Sequence, residues 1–233
     1  MSGGGTRSGR RKTGGSGASA KPSEEPVRGI PQSEIDKLRG TRDHLDKYKF
    51  YPFIVMDDYK RVGIDLSLDE TINIMDTITG YTDVKYDSMR EIAHKFYAGG
   101  ELNSKEQKVF SDYQKIIEFT KIAPTYKGSE QYIYRGIKAI AAPEYGDSLL
   151  ALKPGDKIDF RKFVASFSSN EKTAQDFAGS GGIVLRASTS KIKNAPSIKG
   201  LSAHPDEEEI LVSDNFKISK ITTANGLTYI DME

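Results

Sequence analysis

Three consecutive glutamates, Glu207, Glu208 and Glu209, run directly into Ile210, Leu211 and Val212. Acidic runs ordinarily sit on solvated loops or helix faces, whereas "EEILV" has the make-up of a buried strand. Side chains two apart on a strand share a face, so the carboxylates of Glu207 and Glu209 are expected side by side, with Glu208 on the opposite face. Like charges so placed cost stability. A ligand or a catalytic task would explain why they are tolerated. Two other polar features lie beside strand-like segments. Arg135 interrupts the apolar run "YIYRGI". It either snorkels at a sheet edge or faces a cleft, where its planar fork can grip a phosphate or a carboxylate. "VASFSSNEKTAQDFAG" brings hydroxyls at Ser166, Ser168 and Ser169. Alternation puts Ser166 and Ser168 on one face, and Ser169 or Asn170 is placed to cap the helix that follows.

The elements that must position these groups divide the chain. Residues 31–128 read as a helical layer. Ser33 can cap "EIDKLRGTRDHLDKYK", Ser67 with Glu70 forms a capping box before "TINIMDTITG", and Ser104 with Gln107 points to another. The helix after Ser104 sets Val109, Phe110, Tyr113, Ile116 and Ile117 on one face, a stripe most simply read as core. Gly80, Gly99 and Gly100 punctuate these helices. After Gly128 come short runs rich in Ile, Val, Tyr and Phe: "YIYRG", "KIDF", "FVASFS", "GIVLRA", "EEILV", "FKISKIT" and "LTYIDM". One short helix, "NEKTAQDFA", lies among them, with Ala174 and Phe177 three residues apart. The expected fold is α+β, a single domain over 31–233 in which 129–233 form a mostly antiparallel β core beside the helices.

Composition limits the remaining possibilities. The 233 residues are 36% hydrophobic and 29% charged, as in a globular chain with a polar appendage. No cysteine is present, which excludes disulfides, thiolate metal sites and a cysteine nucleophile. His44, His94 and His204 are far apart, so no metal site is expected. No apolar run is long enough to cross a bilayer, and the N-terminus lacks a Sec-type signal pattern. The net charge of +1 hides a division: residues 1–30 hold six Lys and Arg against two Glu, a balance of +4 that leaves −3 elsewhere. That Gly/Ser-rich segment lacks the apolar surface to offset its ordering entropy and reads as a flexible tail. It suits a solubilising linker, or contact of "RSGRRK" with nucleic acid or another acidic surface.

The ordered set of Tyr-Arg-Gly, a Ser-x-Ser strand leading into a helix, and Glu-x-Glu before an apolar strand resembles the mono-ADP-ribosyltransferases of the Arg-Ser-Glu class. These include arginine-modifying bacterial toxins, phage transferases and vertebrate ecto-enzymes. "IMDTITGYTDVKYDSMREI" and "IAPTYKGSEQYIYRGI" extend the resemblance upstream, so that it covers roughly residues 65–231. Two departures stand out. Phe167 occupies the middle of the Ser-x-Ser strand, where relatives often have Thr. The loop "NAPSIKGLSAHPD" lacks the aromatic residue that many relatives use for target recognition and offers only Leu201 and His204.

The resemblance implies an ADP-ribosyltransferase-like sandwich of two facing sheets with NAD, as substrate and without a metal, in the cleft between them. Arg135 would bind the pyrophosphate and the adenosine-side ribose, and the Gly136 backbone would approach the nicotinamide amide. Ser166 would orient Glu209, Ser168 would join the NAD contacts, and Phe177 would wall the nicotinamide pocket unless it belongs to the core. Glu209 would sit at the ribose 2′-hydroxyl and stabilise the oxocarbenium-like centre formed as nicotinamide leaves. Glu207 would bind and deprotonate an arginine of a target protein, and Glu208 would be a solvated neighbour. The alternatives are an NAD glycohydrolase, a non-catalytic NAD-like binding module, and a nucleic-acid binder acting through its basic tail. Membrane partners are not expected. A cytoplasmic enzyme, a toxin delivered into a host by a dedicated machine and a protein entering with a phage particle all fit. Because the tail carries none of these site residues, deletion of residues 1–30 is expected to leave NAD cleavage unchanged. A truncated protein that folds but no longer releases nicotinamide would give the tail a part in the site.

Overall fold

The computed structural model describes residues 51–138 and 149–233. The basic tail and the segment capped by Ser33 lie outside the described residues. Among the described residues four helices come first: α1 (Tyr51–Arg61), α2 (Leu68–Tyr81), α3 (Tyr86–Tyr97) and α4 (Ser104–Ile122). The Ser67–Glu70 box starts α2 as its spacing suggests, with the Ser67 N–H donating to the Glu70 carboxylate at 2.8 Å. At α4 the cap lies one residue before the expected Ser104. The Asn103 side chain accepts from the N–H groups of Lys105 and Glu106, both at 3.0 Å, and Glu106 reaches back to the Asn103 N–H. Asn caps as well as Ser does, and only this register puts a carboxylate three residues into the helix. Phe110, Tyr113, Ile116 and Ile117 are buried as the stripe requires, while Val109 is half-buried at its margin.

The second half contributes β1 (Tyr132–Ile137), β2 (Lys157–Asp159), β3 (Ala165–Ser168), α5 (Glu171–Ala178), β4 (Ile183–Ser188), β5 (Glu209–Val212), β6 (Asn215–Ala224) and β7 (Leu227–Met232). The strands follow one continuous order, β2-β6-β7-β4-β1-β3-β5, in which β4 and β7 are parallel and every other pair is antiparallel. Strands from both ends of that order, including Ile158, Ile218, Phe167 and Ile210, bury side chains in one shared core, so the sheet curls around it. Period-2 alternation sorts each strand. Ile210 and Val212 enter this core, while Leu211 turns to the other face and joins the core of the helical layer.

The two halves meet at Val164, just before β3. Its N–H donates to the Tyr113 hydroxyl at 2.8 Å, and its carbonyl accepts from the Tyr81 hydroxyl at 2.7 Å and from Arg90 Nη1 at 3.2 Å. Both tyrosine side chains are fully buried, so each hydroxyl needs a partner, and this one peptide satisfies both. On the same face of the sheet as the helical layer, away from the shared core, α5 lies across β1 and β4, with Ala174 and Ala178 packed on Val184, Leu227 and Tyr229. Contact is close at Gly136. A Cβ there would collide with the Ala174 carbonyl oxygen and would stand only 2.7 Å from the Ala178 nitrogen and 2.8 Å from Phe177 Cβ. Those atoms are helix backbone or close to it and cannot swing aside. Gly136→Ala is therefore expected to displace α5 and cost about 2 kcal/mol, seen as a drop of several degrees in Tm. An unchanged Tm would show that α5 yields freely.

Candidate functional site

A cleft of about 400 Å³ opens between the helical layer and the sheet. The α2–α3 connection supplies Tyr81, Thr82, Asp83, Tyr86 and Asp87 to one wall. The other wall comes from Tyr134, Arg135 and Gly136 on β1, Ser166, Phe167 and Ser168 on β3, Thr173, Ala174 and Phe177 on α5, and His204, Glu207 and Glu209 at the approach to β5. The seven residues that the resemblance assigns to NAD or to the target arginine, Arg135, Gly136, Ser166, Ser168, Phe177, Glu207 and Glu209, thus line one cavity. Among the described residues no group of three or more His, Asp or Glu is arranged to hold a metal.

Glu209 is the first residue of β5, opposite Ser168 on β3, and only 5% of it is exposed. It shares the strand face of Leu211, so its carboxylate turns toward the helical layer. Burial pushes its pKa above the ordinary glutamate range. Hydrogen bonding from Ser166 and Ser202 pulls it down, the Glu207 charge pushes it up, and Arg135 pulls it down, with burial prevailing. The Ser202 hydroxyl donates to Glu209 Oε2 at 2.8 Å.

Glu207 does not share the strand. Pro205–Glu207 form a 3₁₀ turn, and Glu208 takes the left-handed conformation (φ 51°, ψ 48°) before the strand begins. Alternation therefore does not relate Glu207 to Glu209. The reversal at Glu208, not the strand pleat, brings both to the cleft, Glu209 buried and Glu207 half-exposed. Glu208 is more than a solvated neighbour. Its carboxylate accepts from Lys199 Nζ at 2.8 Å and from the Ser169 hydroxyl at 2.6 Å, and those two partners hold its pKa below the usual range. Ser168 lines the cleft, but its hydroxyl is committed locally. It donates to the Glu207 carbonyl at 2.6 Å and accepts the Asn170 N–H at 2.9 Å. Of the two capping candidates for α5 it is Asn170 that serves, accepting from the Lys172 N–H at 2.9 Å.

Arg135 does not snorkel into solvent. Its Nη1 donates to the Ser166 carbonyl and its Nη2 to the Tyr86 hydroxyl, each at 2.7 Å. Tyr86 escapes sequence reasoning, although it lies within the upstream stretch that carries the resemblance. Burial alone would raise its pKa, yet the positive charges of Arg135 and Arg90 bring it below the ordinary tyrosine value. Phe177 is 50% exposed, so it belongs to the cleft mouth and not to the core. Leu201 is buried among the helices, leaving His204 as the loop residue that faces the cleft. Gly136 lines the cleft too, but its missing side chain primarily makes room for α5.

Residues 118–233 match the model of the NAD:arginine ADP-ribosyltransferase family. The chain belongs to the ADP-ribosyltransferase family. The match starts within α4 and takes in every cleft residue from β1 onward. The Vis toxin, an ADP-ribosyltransferase from Vibrio splendidus, has a similar structure, with a TM-score of 0.51 at 18% identity over 90% of this chain and 88% of that one. Vis in complex with agmatine gives a TM-score of 0.51 at 20% identity over 69% and 73%. The enzymatic component C2-I of the C2 toxin from Clostridium botulinum gives 0.53 at 16% identity over 83% of this chain and 47% of that one, so this chain spans about half the length of C2-I. At these identities the likeness is one of fold. No curated protein matches the sequence. The ADP-ribosyltransferase activity takes NAD as substrate and transfers its ADP-ribose.

The raised pKa of Glu209 has a consequence for stability. Ionising this carboxyl is harder in the fold than in the unfolded chain. The penalty is present in full above its folded pKa and disappears as pH falls into the ordinary glutamate range. Glu209→Gln keeps the shape and removes the charge, so the ADP-ribosyltransferase variant is expected to melt higher than wild type at pH 7. The difference should close toward pH 4. A variant that melts lower at pH 7 would show that Ser166, Ser202 and Arg135 outweigh burial.

Proposed function

We propose that this ADP-ribosyltransferase modifies arginine side chains of a target protein. The observation that carries this reading is the unequal carboxylate pair: Glu209 buried in the sheet and Glu207 half-exposed on the turn, both opening on one cleft. Such a pair can serve donor and acceptor separately. Among the described residues lining the cleft, Arg135 is the single arginine or lysine, so it provides the fixed positive charge for the NAD pyrophosphate. Phe177 and the β1 backbone at Gly136 bound the space for nicotinamide. The bond between ribose C1′ and the nicotinamide nitrogen breaks, and its electron pair neutralises the pyridinium as nicotinamide leaves. Glu209, ionised and oriented by hydroxyls, accepts from the ribose 2′-hydroxyl and stabilises the positive charge that develops at C1′. A guanidinium is protonated at neutral pH and does not attack by itself. Glu207 binds it, takes its proton as the nitrogen bonds to C1′, and so links acceptor choice to one side chain. The agmatine complex of Vis supports the acceptor class, because agmatine carries the same guanidinium group as arginine.

The two glutamates are separable by experiment. Glu207→Gln should lower transfer to an arginine-rich acceptor by about 10²-fold or more while sparing most nicotinamide release to water. Glu209→Gln should lower both by about 10²–10³-fold. Free nicotinamide and acceptor-bound ADP-ribose are measured in parallel. Equal loss of both signals in Glu207→Gln would mean that the pair acts as a unit, and loss of neither would point to an acceptor other than arginine.

A further inference from the structure

We propose that Ser202 is a positioning residue for Glu209, aiming its carboxylate and tying that aim to the loop that leads into the acidic turn. The proposal deepens the transferase reading above, because the carboxylate it supports is the one assigned to the ribose. Ser202 has no exposed surface. Its hydroxyl donates to Glu209 Oε2 at 2.8 Å and accepts the backbone N–H of His204 at 3.0 Å. A hydroxyl carries a single proton. With the His204 N–H directed at the oxygen, that proton points to the carboxylate. This support is distinct from that of Ser166, which approaches Glu209 from the neighbouring strand β3.

The loop around Ser202 is fastened residue by residue. Thr79 Oγ1 donates to the Leu201 carbonyl at 2.8 Å, and the Ser202 N–H donates to the Ile198 carbonyl at 2.8 Å. The Ala203 N–H donates to Thr82 Oγ1 at 2.9 Å. Both threonines flank the end of α2, so the helical layer sets the depth of Ser202. The next residue, His204, lines the cleft. A displacement of its backbone acts directly on the hydroxyl that aims Glu209. The loop is thereby coupled to the donor-side carboxylate by one hydrogen-bonded atom.

The test reads Glu209 itself, without depending on turnover. Carboxyl-¹³C glutamate is incorporated, the Glu209 resonance is assigned by its loss in Glu209→Gln, and its midpoint is followed against pH. The charged or titratable groups that share the cleft with Glu209 are Glu207 beside it, Arg135 and Tyr134 on β1 and, around the cleft, Tyr81, Asp83, Tyr86, Asp87 and His204. All are left intact when Ser202 is replaced. In Ser202→Ala, and in Ser202→Cys, which keeps the volume with a weak donor, the midpoint should move up by about one pH unit. The acid limb of nicotinamide release should move the same way, with NAD affinity unchanged by calorimetry. An unmoved midpoint in folded Ser202→Cys, or a lower Tm with an unmoved acid limb, would overturn the proposal. A shifted midpoint in a protein whose wild type releases no nicotinamide would uphold the role of Ser202 and overturn the transferase reading instead.

Discussion

Taking the Glu209 carboxylate out of water is the constraint around which the rest of the site is built. A buried carboxylate is tolerated only when hydrogen bonds and opposite charge replace its hydration. Here the replacements converge from separate parts of the chain: Ser166 on β3, Ser202 on the loop before the turn, and the Arg135 charge on β1. None is near enough in sequence to follow Glu209 automatically. The curled sheet has to form, and the helical layer has to close over it, before the carboxylate has its partners. Burial still prevails, and the group stays harder to ionise than an ordinary glutamate. A fold optimised for stability alone would place an apolar side chain at this position, as it does at Leu211 on the same face.

The helical layer is part of the chemistry as well as of the packing. Tyr86 holds one end of the Arg135 guanidinium, and its ring stands 5.2 Å from that of Tyr81. Tyr81 and Tyr113 together clamp the Val164 peptide at the entrance to β3, the strand that carries Ser166. Thr79 and Thr82 hold the loop that carries Ser202. The donor-side groups on the sheet therefore take their positions from hydroxyls presented by helices. Burial makes each of these hydroxyls stringent, since a buried O–H without a partner costs about 1–3 kcal/mol.

What could be read in the sequence was whatever depends on local order. Period-2 runs delivered the strands, the Ser67–Glu70 spacing delivered a helix start, and the ordered Arg, Ser and Glu motifs delivered the members of the cleft. Two local rules misled. Asn103 competes with Ser104 as a cap on equal terms, and the carboxylate of Glu106 decides between them. The Glu-x-Glu run looks like the start of a strand, but Pro205 opens a turn and Glu208 adopts a left-handed backbone that strand alternation does not describe. Tyr86 and Ser202 were illegible for a different reason. Each is an ordinary polar residue until a partner arrives, Arg135 from 49 residues away and Glu209 across a folded loop. Pairing of that kind belongs to tertiary structure, and no spacing in the chain announces it.

The two carboxylates differ in the kind of support beneath them, and that difference bears on specificity. Glu209 sits in a strand paired to β3, where its backbone has little freedom. Glu207 sits on a 3₁₀ turn held at its edges by Ser168 on its carbonyl and by Ser169 and Lys199 on the neighbouring Glu208. Lys199 is exposed and Glu208 partly so, so that ion pair adds little by itself, and the serine contacts define the turn. Under the proposed chemistry the strand-borne group meets the donor sugar, which is the same in every turnover. The turn-borne group meets the acceptor, which distinguishes one target from another. Changes of length or sequence in the loop 194–208 would re-aim Glu207 with the pairing of Glu209 intact, provided that Ser202 keeps its depth. Ser202 is thus the point at which variation made for the acceptor would begin to disturb the donor side.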